Sequence, residues 1–230
     1  MRGHSQVLTD LQFLADGRLV SCSLDGTVKV WDVTVPGVFG IHRMGRGLLF
    51  GAVQSPDGSS LLTAGQGNQL RLWKLPQLKN EEMVELTPDG PLASDAVFLR
   101  DGRIAASMSD GTVRLIDPDQ PSKPDIVPVA EQPLRSIHAS PSGTLVAAAA
   151  RSGEVALIDV GSRAVRHRMT RHTREARAVR FLGDNRVATF GLDRRICVWD
   201  SSGDLIWERR DEQSQFCLLY TSPSPRDLWI

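Results

Sequence analysis

Apolar residues stand two apart in short runs, the runs are separated by turn residues, and the same succession of runs returns five times along the chain. After Asp25-Gly26, Val28 and Val30 alternate with polar neighbours up to Trp31. Leu70 and Leu72, Val113 and Leu115, Val155 and Leu157, and Ile196 and Val198 repeat the alternation, ending at Trp73, Ile116, Ile158 and Trp199. A period of two puts such residues on one face of a β-strand. Each run is preceded by another apolar stretch: Leu19-Val20, Leu61-Leu62, Ile104-Ala105, Leu145-Val146 and Val187-Ala188. Turn signals such as Asp16-Gly17, Asp101-Gly102 and Pro141-Ser142-Gly143 introduce these stretches. Upstream lies one more strand, at 7–14, 48–54, 95–99, 134–139 and 176–182, and a more polar fourth strand fills the gaps at 84–86, 125–127, 164–169 and 205–208.

The turn between the second and third strands recurs at Asp25, Gly67, Asp110, Ser152 and Asp193, at intervals of 42, 43, 42 and 41 residues. Repeats of roughly 40 to 45 residues with four short strands form propeller blades. The expected fold is all-β, with about five four-stranded antiparallel blades and little helix. Asp25-Gly26 predicts a two-residue type I′ hairpin, which needs positive φ at both residues.

These units resemble WD40 repeats over residues 3–210. The first carries Gly3-His4, Ser21, Asp25 and Trp31-Asp32, and the fifth carries Arg171-His172, Thr189, Asp193 and Trp199-Asp200. The resemblance implies structural tetrads of His4, Ser21, Asp25 and Trp31, and of His172, Thr189, Asp193 and Trp199. In each, the imidazole bridges carboxylate and hydroxyl while the indole donates to the hydroxyl, so four polar groups satisfy one another. His42, Thr63 and Trp73 form a partial tetrad with Gly67 in the carboxylate column, and His42 is expected in the loop before the second repeat. Ala106, Ala148, Ile116 and Ile158 replace the polar set by apolar packing in repeats three and four. Ser21 rather than Ser23 is the tetrad hydroxyl, because it aligns with Thr63 and Thr189.

Propellers close with about four to eight blades and this family usually has seven, so five repeats imply an open, incomplete ring or a strained closure. The family also places the residue before each turn anchor at the narrow top opening. Leu24, Gln66, Ser109, Arg151 and Leu192 hold that column, a mixed surface suited to protein or peptide partners. The expected function is a non-catalytic protein–protein interaction scaffold, the propeller module of a larger regulatory or scaffolding protein.

Composition removes several other classes. Formal net charge is zero, so no global field steers the chain to nucleic acid or membrane. Cys22, Cys197 and Cys217 form no CxxC pair, which speaks against a zinc site or disulfide framework and for a reducing, cytoplasmic setting. The longest small apolar run, 146–150, is too short to span a bilayer. No Gly-x-Ser-x-Gly elbow occurs, and neither Gly45-Arg46-Gly47 nor Gly65-Gln66-Gly67 completes a nucleotide-binding motif. His167 and His172 have no clustered ligands beside them. No catalysis, cofactor or metal is therefore expected.

One local excess stands out: Arg163, Arg166, Arg168, Arg171, Arg174, Arg177 and Arg180 fall within eighteen residues. It supports an alternative reading as a phosphate- or nucleic-acid-binding module. Against that, charge on an outer strand blocks edge-to-edge pairing, and no aromatic residue stands in the stretch to stack on bases. A further alternative is a regulatory propeller of a multidomain enzyme, such as a kinase or NTPase. Finally, 217–230 breaks the strand alternation with two prolines and resembles the translated read-through of a sequencing adapter. The propeller is thus expected over 1–216, with native sequence stopping near Gln215 or Phe216.

Overall fold

The computed structural model describes residues 3–34, 38–43 (backbone), 49–65, 70–75, 83–87 and 90–210. The tail at 217–230, Gln66 and Gly67 lie outside the described residues. Among the described residues, twenty strands form five four-stranded sheets. Blade one comprises β1 (Leu8–Phe13), β2 (Leu19–Ser23), β3 (Thr27–Trp31) and β4 (Val38–Arg43). Blade two comprises β5 (Leu49–Gln54), β6 (Ser60–Gly65), β7 (Arg71–Lys74) and β8 (Val84–Glu85). Blade three holds β9 (Ala93–Phe98), β10 (Ile104–Met108), β11 (Thr112–Ile116) and β12 (Asp125–Pro128). Blade four holds β13 (Leu134–Ala139), β14 (Leu145–Ala150), β15 (Glu154–Asp159) and β16 (Ala164–Thr170). Blade five holds β17 (Ala176–Phe181), β18 (Arg186–Gly191), β19 (Arg195–Asp200) and β20 (Leu205–Arg210). Every sheet is an antiparallel meander in chain order.

The turn between second and third strands differs from the two-residue expectation. Only Gly26 has positive φ, 75°, and its N–H donates to the Ser23 carbonyl at 3.1 Å. Leu24-Asp25-Gly26 is thus a three-residue connection ending in a left-handed residue, the second common hairpin solution. Gly111, Gly153 and Arg194 repeat it, with φ of 83°, 94° and 63°.

Blades stack through their two inner strands: β1, β5, β9, β13 and β17 are neighbours in series, and β2, β6, β10 and β14 each pack against the first strand of the next blade. Four apolar cores fill the junctions. Val20, Cys22, Val28 and Val30 meet Leu49, Leu61 and Trp73 between blades one and two. Leu62 and Leu70 meet Ile104 and Ile116 between two and three. Leu99 and Leu115 meet Ile137 and Ile158 between three and four, and Leu145 and Leu157 meet Val179 and Trp199 between four and five.

Five blades with four junction cores among the described residues make an open arc, and the end blades show it. Phe13 and Phe181 hold the same register position, opposite Leu19 and Val187. Phe181 is 8% exposed inside the last junction, whereas Phe13 is 64% exposed. Conversely Leu14 is 4% exposed beside blade two, while its counterpart Leu182 is 53% exposed. Blade one bares the face that blade five buries, and blade five bares the face that blade one buries.

Candidate functional site

In blade one, His4 Nδ1 lies 3.0 Å from Asp25 Oδ2 and its Nε2 lies 2.7 Å from Ser21 Oγ. Trp31 Nε1–H donates to Ser21 Oγ at 2.8 Å. One tautomer satisfies all of them: Nδ1–H donates to the carboxylate, and the Ser21 hydroxyl, receiving from the indole, donates to Nε2. Blade five has the same arrangement, with His172 Nδ1 3.0 Å from Asp193 Oδ1, His172 Nε2 2.9 Å from Thr189 Oγ1, and Trp199 Nε1 donating to Thr189 Oγ1 at 2.9 Å. Gly191 permits this, because a Cβ there would stand 2.4 Å from His172 Nδ1. Burial works to raise the Asp25 carboxyl, but bonds from the Thr27 hydroxyl, the Ser5 amide and His4 outweigh it and hold it below the usual range. Asp193 is held down likewise, burial being outweighed by His172 and the Thr173 amide.

In blade two, Trp73 Nε1 donates to Thr63 Oγ1 at 2.9 Å. His42 is not in a loop: it lies inside β4, paired with Val28 as part of blade one. The physical reason is spacing. The imidazole stands 17 residues before its hydroxyl in both other sets, which for Thr63 falls at position 46, outside the described residues. In blades three and four, Ala106, Ile116, Ala148 and Ile158 lie in the junction cores. There Arg114 reaches back from β11 to stand 4.0 Å from Asp110, and a Cβ at Gly90 would lie 2.7 Å from its Nη1.

Leu24, Ser109, Arg151 and Leu192 occupy one structural position. Their N–H groups donate to the carbonyls of Val7, Leu92, Pro133 and Glu175, each just ahead of its blade's first strand, at 2.8 to 3.0 Å. They therefore line one rim of the arc. Arg151 and Leu192 are exposed, while Leu24 and Ser109 are half-buried. Beside them is a column that the period-two pattern does not show. The first strand of every blade carries a β-bulge, at Thr9, Phe50, Ser94, Arg135 and Arg177. Bulges re-aim a side chain and gather at rims and sites. Their trace in sequence is an apolar spacing of three, as in Leu8 to Leu11 and Leu134 to Ile137.

The arginine stretch does not form one surface. Arg163 pairs with Asp125 at 3.0 Å, Arg168 with Glu154, Arg171 with Glu208 at 2.6 Å, and Arg177 with Glu175 at 2.9 Å. Arg180 points inward on β17, its Nη1 3.3 Å from Ser136 Oγ. Arg166 and Arg174 are exposed. Five of the seven thus already meet protein partners.

Around the inner strands, polar side chains stitch blade to blade. Asp10 Oδ2 accepts from the Ala52 amide at 2.9 Å, and Gln12 Oε1 from the Gln54 amide at 3.1 Å. Asp95 Oδ2 accepts from the Ile137 amide at 3.1 Å, and His138 Nδ1 from the Phe181 amide at 3.2 Å. Burial pushes the carboxyls of Asp10 and Asp95 up despite the Arg180 charge. Burial, then Arg180, pushes His138 down to about 4. No group of three or more His, Cys, Asp or Glu among the described residues is placed to hold a metal ion. Cys22 and Cys197 are free and buried, and burial drives the Cys197 thiol up to about 11, away from reactive thiolate. No helix among the described residues is long and apolar enough to cross a membrane.

The WD domain, G-beta repeat family matches residues 1–32. Coronin-7 of Bos taurus is 29% identical over 126 residues, 50% of this chain and 13% of that protein. The ribosome biogenesis protein WDR12 homolog of Ixodes scapularis is 27% identical over 85 residues, 37% of this chain and 20% of its own length. Apoptotic protease-activating factor 1 of Rattus norvegicus is 26% identical over 118 residues, 50% of this chain and 9% of its length. The chain thus spans a fifth or less of these relatives. Repeat spacing, strand order and likeness agree: the chain is similar to WD40-repeat proteins, the family model matching its first repeat and the five four-stranded sheets repeating that unit.

Proposed function

We propose that the chain is a protein-interaction module of a larger cytoplasmic regulatory or scaffolding protein, and that it binds partners at the rim formed by Leu24, Ser109, Arg151 and Leu192. The observation that carries this reading is the repeated turn: one backbone geometry presents Leu24, Ser109, Arg151 and Leu192, from four of the blades, at the same edge. A rigid stack carrying variable exposed positions suits recognition of extended partners. The tetrads serve it indirectly, by fixing the turns that hold the rim residues.

The relatives' names point to ribosome biogenesis and apoptotic protease activation, different settings for one kind of repeat, which fits a platform whose partner is set by surface residues. The phosphate- or nucleic-acid reading loses support, because most of the arginine stretch is neutralised within the protein.

Affinity capture with quantitative mass spectrometry tests the proposal. Leu192→Glu with Leu24→Glu should deplete a defined set of bound proteins that Ile126→Glu, on the exposed outer strand β12, retains. Identical capture profiles for both variants would overturn it.

A further inference from the structure

The rim is not uniform, and its basic part is built from residues that lie far apart in sequence. Glu175 sits between Arg135, whose Nε is 3.3 Å from its carboxylate, and Arg177 at 2.9 Å. Both arginines are bulge residues, on β13 and β17, and the Glu175 carbonyl holds the rim turn at Leu192. Arg151 is tied to the same place, since its N–H donates to the Pro133 carbonyl two residues before Arg135. Arg174 closes the group. A Cβ on Gly153, in the Arg151 turn, would lie 2.6 Å from the carbonyls of both His172 and Arg174, so that loop packs directly on the blade-four turn.

Two guanidinium groups, those of Arg135 and Arg177, thus flank one carboxylate, Glu175, at the junction of blades four and five, and the loops that carry Arg151 and Arg174 pack at the same junction. Of the other acids nearby, Glu154 is engaged by Arg168 and Asp193 by His172 and the Thr173 amide. Arg151 and Arg174 are exposed and have no carboxylate within ion-pair distance among the described residues. Beside them Leu192 is 45% exposed.

We infer that this corner of the rim docks an acidic peptide segment, one with clustered Asp or Glu side chains and an apolar residue to cover Leu192; the inference rests on the interaction reading above and names its partner chemistry. Guanidinium forks pair carboxylates through two parallel hydrogen bonds, and the two unpaired arginines offer that geometry at no cost of breaking existing pairs. Glu175 between Arg135 and Arg177 keeps the corner from being a uniform phosphate trap. None of the rim positions on blades four and five is aromatic, so bases would find no stacking platform.

Fluorescence anisotropy on the full chain tests this with three probes: a labelled peptide alternating Glu and Leu, its Gln-for-Glu counterpart, and a single-stranded oligonucleotide. The acidic peptide should bind with an affinity that falls as salt rises, and the Gln peptide at least about tenfold more weakly, as loss of charged hydrogen bonds requires. Arg151→Glu with Arg174→Glu should lose at least about tenfold, whereas Arg163→Glu with Arg166→Glu, just before and on outer strand β16, should change nothing. Equal binding of the two peptides, preference for the oligonucleotide, or loss only in the outer-strand pair would overturn the inference. Rim-dependent partner capture without acidic-peptide binding would overturn it too while leaving the interaction reading standing; failure of both would remove both.

Discussion

Trp199 and Trp31 make the same bond in unequal surroundings, and that inequality gives the polar sets a measurable signature. Trp199 is buried in the last junction, whereas Trp31 lies half-buried on the bare face of blade one, with Lys29 Nζ 5.9 Å from its ring. Trp199→Phe leaves Thr189 Oγ1 short of a donor away from water, which costs about 1–3 kcal/mol. Trp31→Phe should cost less, because water reaches that face, and urea unfolding of the two variants checks the order. Arg194 occupies the left-handed turn position that Gly26, Gly111 and Gly153 take elsewhere. A side chain there costs about 1–2 kcal/mol, partly offset by the 0.4–1 kcal/mol a glycine adds to unfolded-chain freedom. Arg194→Gly should therefore raise stability by about 0.5–1 kcal/mol in the same assay.

At the scale of elements, the first strands do two jobs: their bulges turn side chains to the rim, and their inward side chains bond the next blade's backbone. His138 and Gln12 show two chemistries for one bond, since each accepts an amide of the following blade. His138 must stay neutral to accept, and its folded value near 4 lies below the ordinary 6.5. The unfolded chain therefore takes up the proton first: the contribution of His138 is complete above about pH 6.5 and is lost as pH falls towards 4, at most about 3 kcal/mol. Asp10 and Asp95, whose values are raised, act in the opposite sense and cost stability as pH rises through their folded values. His138→Gln copies the blade-one solution and should flatten the acid loss relative to wild type, leaving the carboxylate contribution in both. Strand number, order and the two complete polar sets were legible in sequence because alternation and spacing are local and repeat. The bulges were hidden because one extra residue breaks the period of two. His42 was misplaced because residue type fits the resemblance there while the 17-residue separation to the hydroxyl does not, and Arg114, only four residues after Asp110, carries no signal because it stands outside the His, hydroxyl and Trp columns.

The molecule as a whole is an arc whose two end faces are of complementary kind, since each shows what the other buries. Phe13→Ser with Leu182→Ser should reduce concentration-dependent association in light scattering while leaving stability nearly unchanged, because both side chains are already largely in water. The arc also gathers four turn residues of three kinds, apolar, hydroxyl and cationic, on one rim, with the arginines of blades four and five at one corner and Leu24 on blade one. Rim use rather than edge use is the central claim about function, and position-specific photo-crosslinking tests it most directly. A photoreactive residue placed in turn at Leu24, Ser109, Arg151 and Leu192, and for comparison at Ile126, Arg166 and Arg209 on outer strands, reports which surface partners touch in cells. Discrete protein adducts from the rim positions and none from the outer strands are the expected result. Adducts confined to the outer strands, with a silent rim, would contradict it.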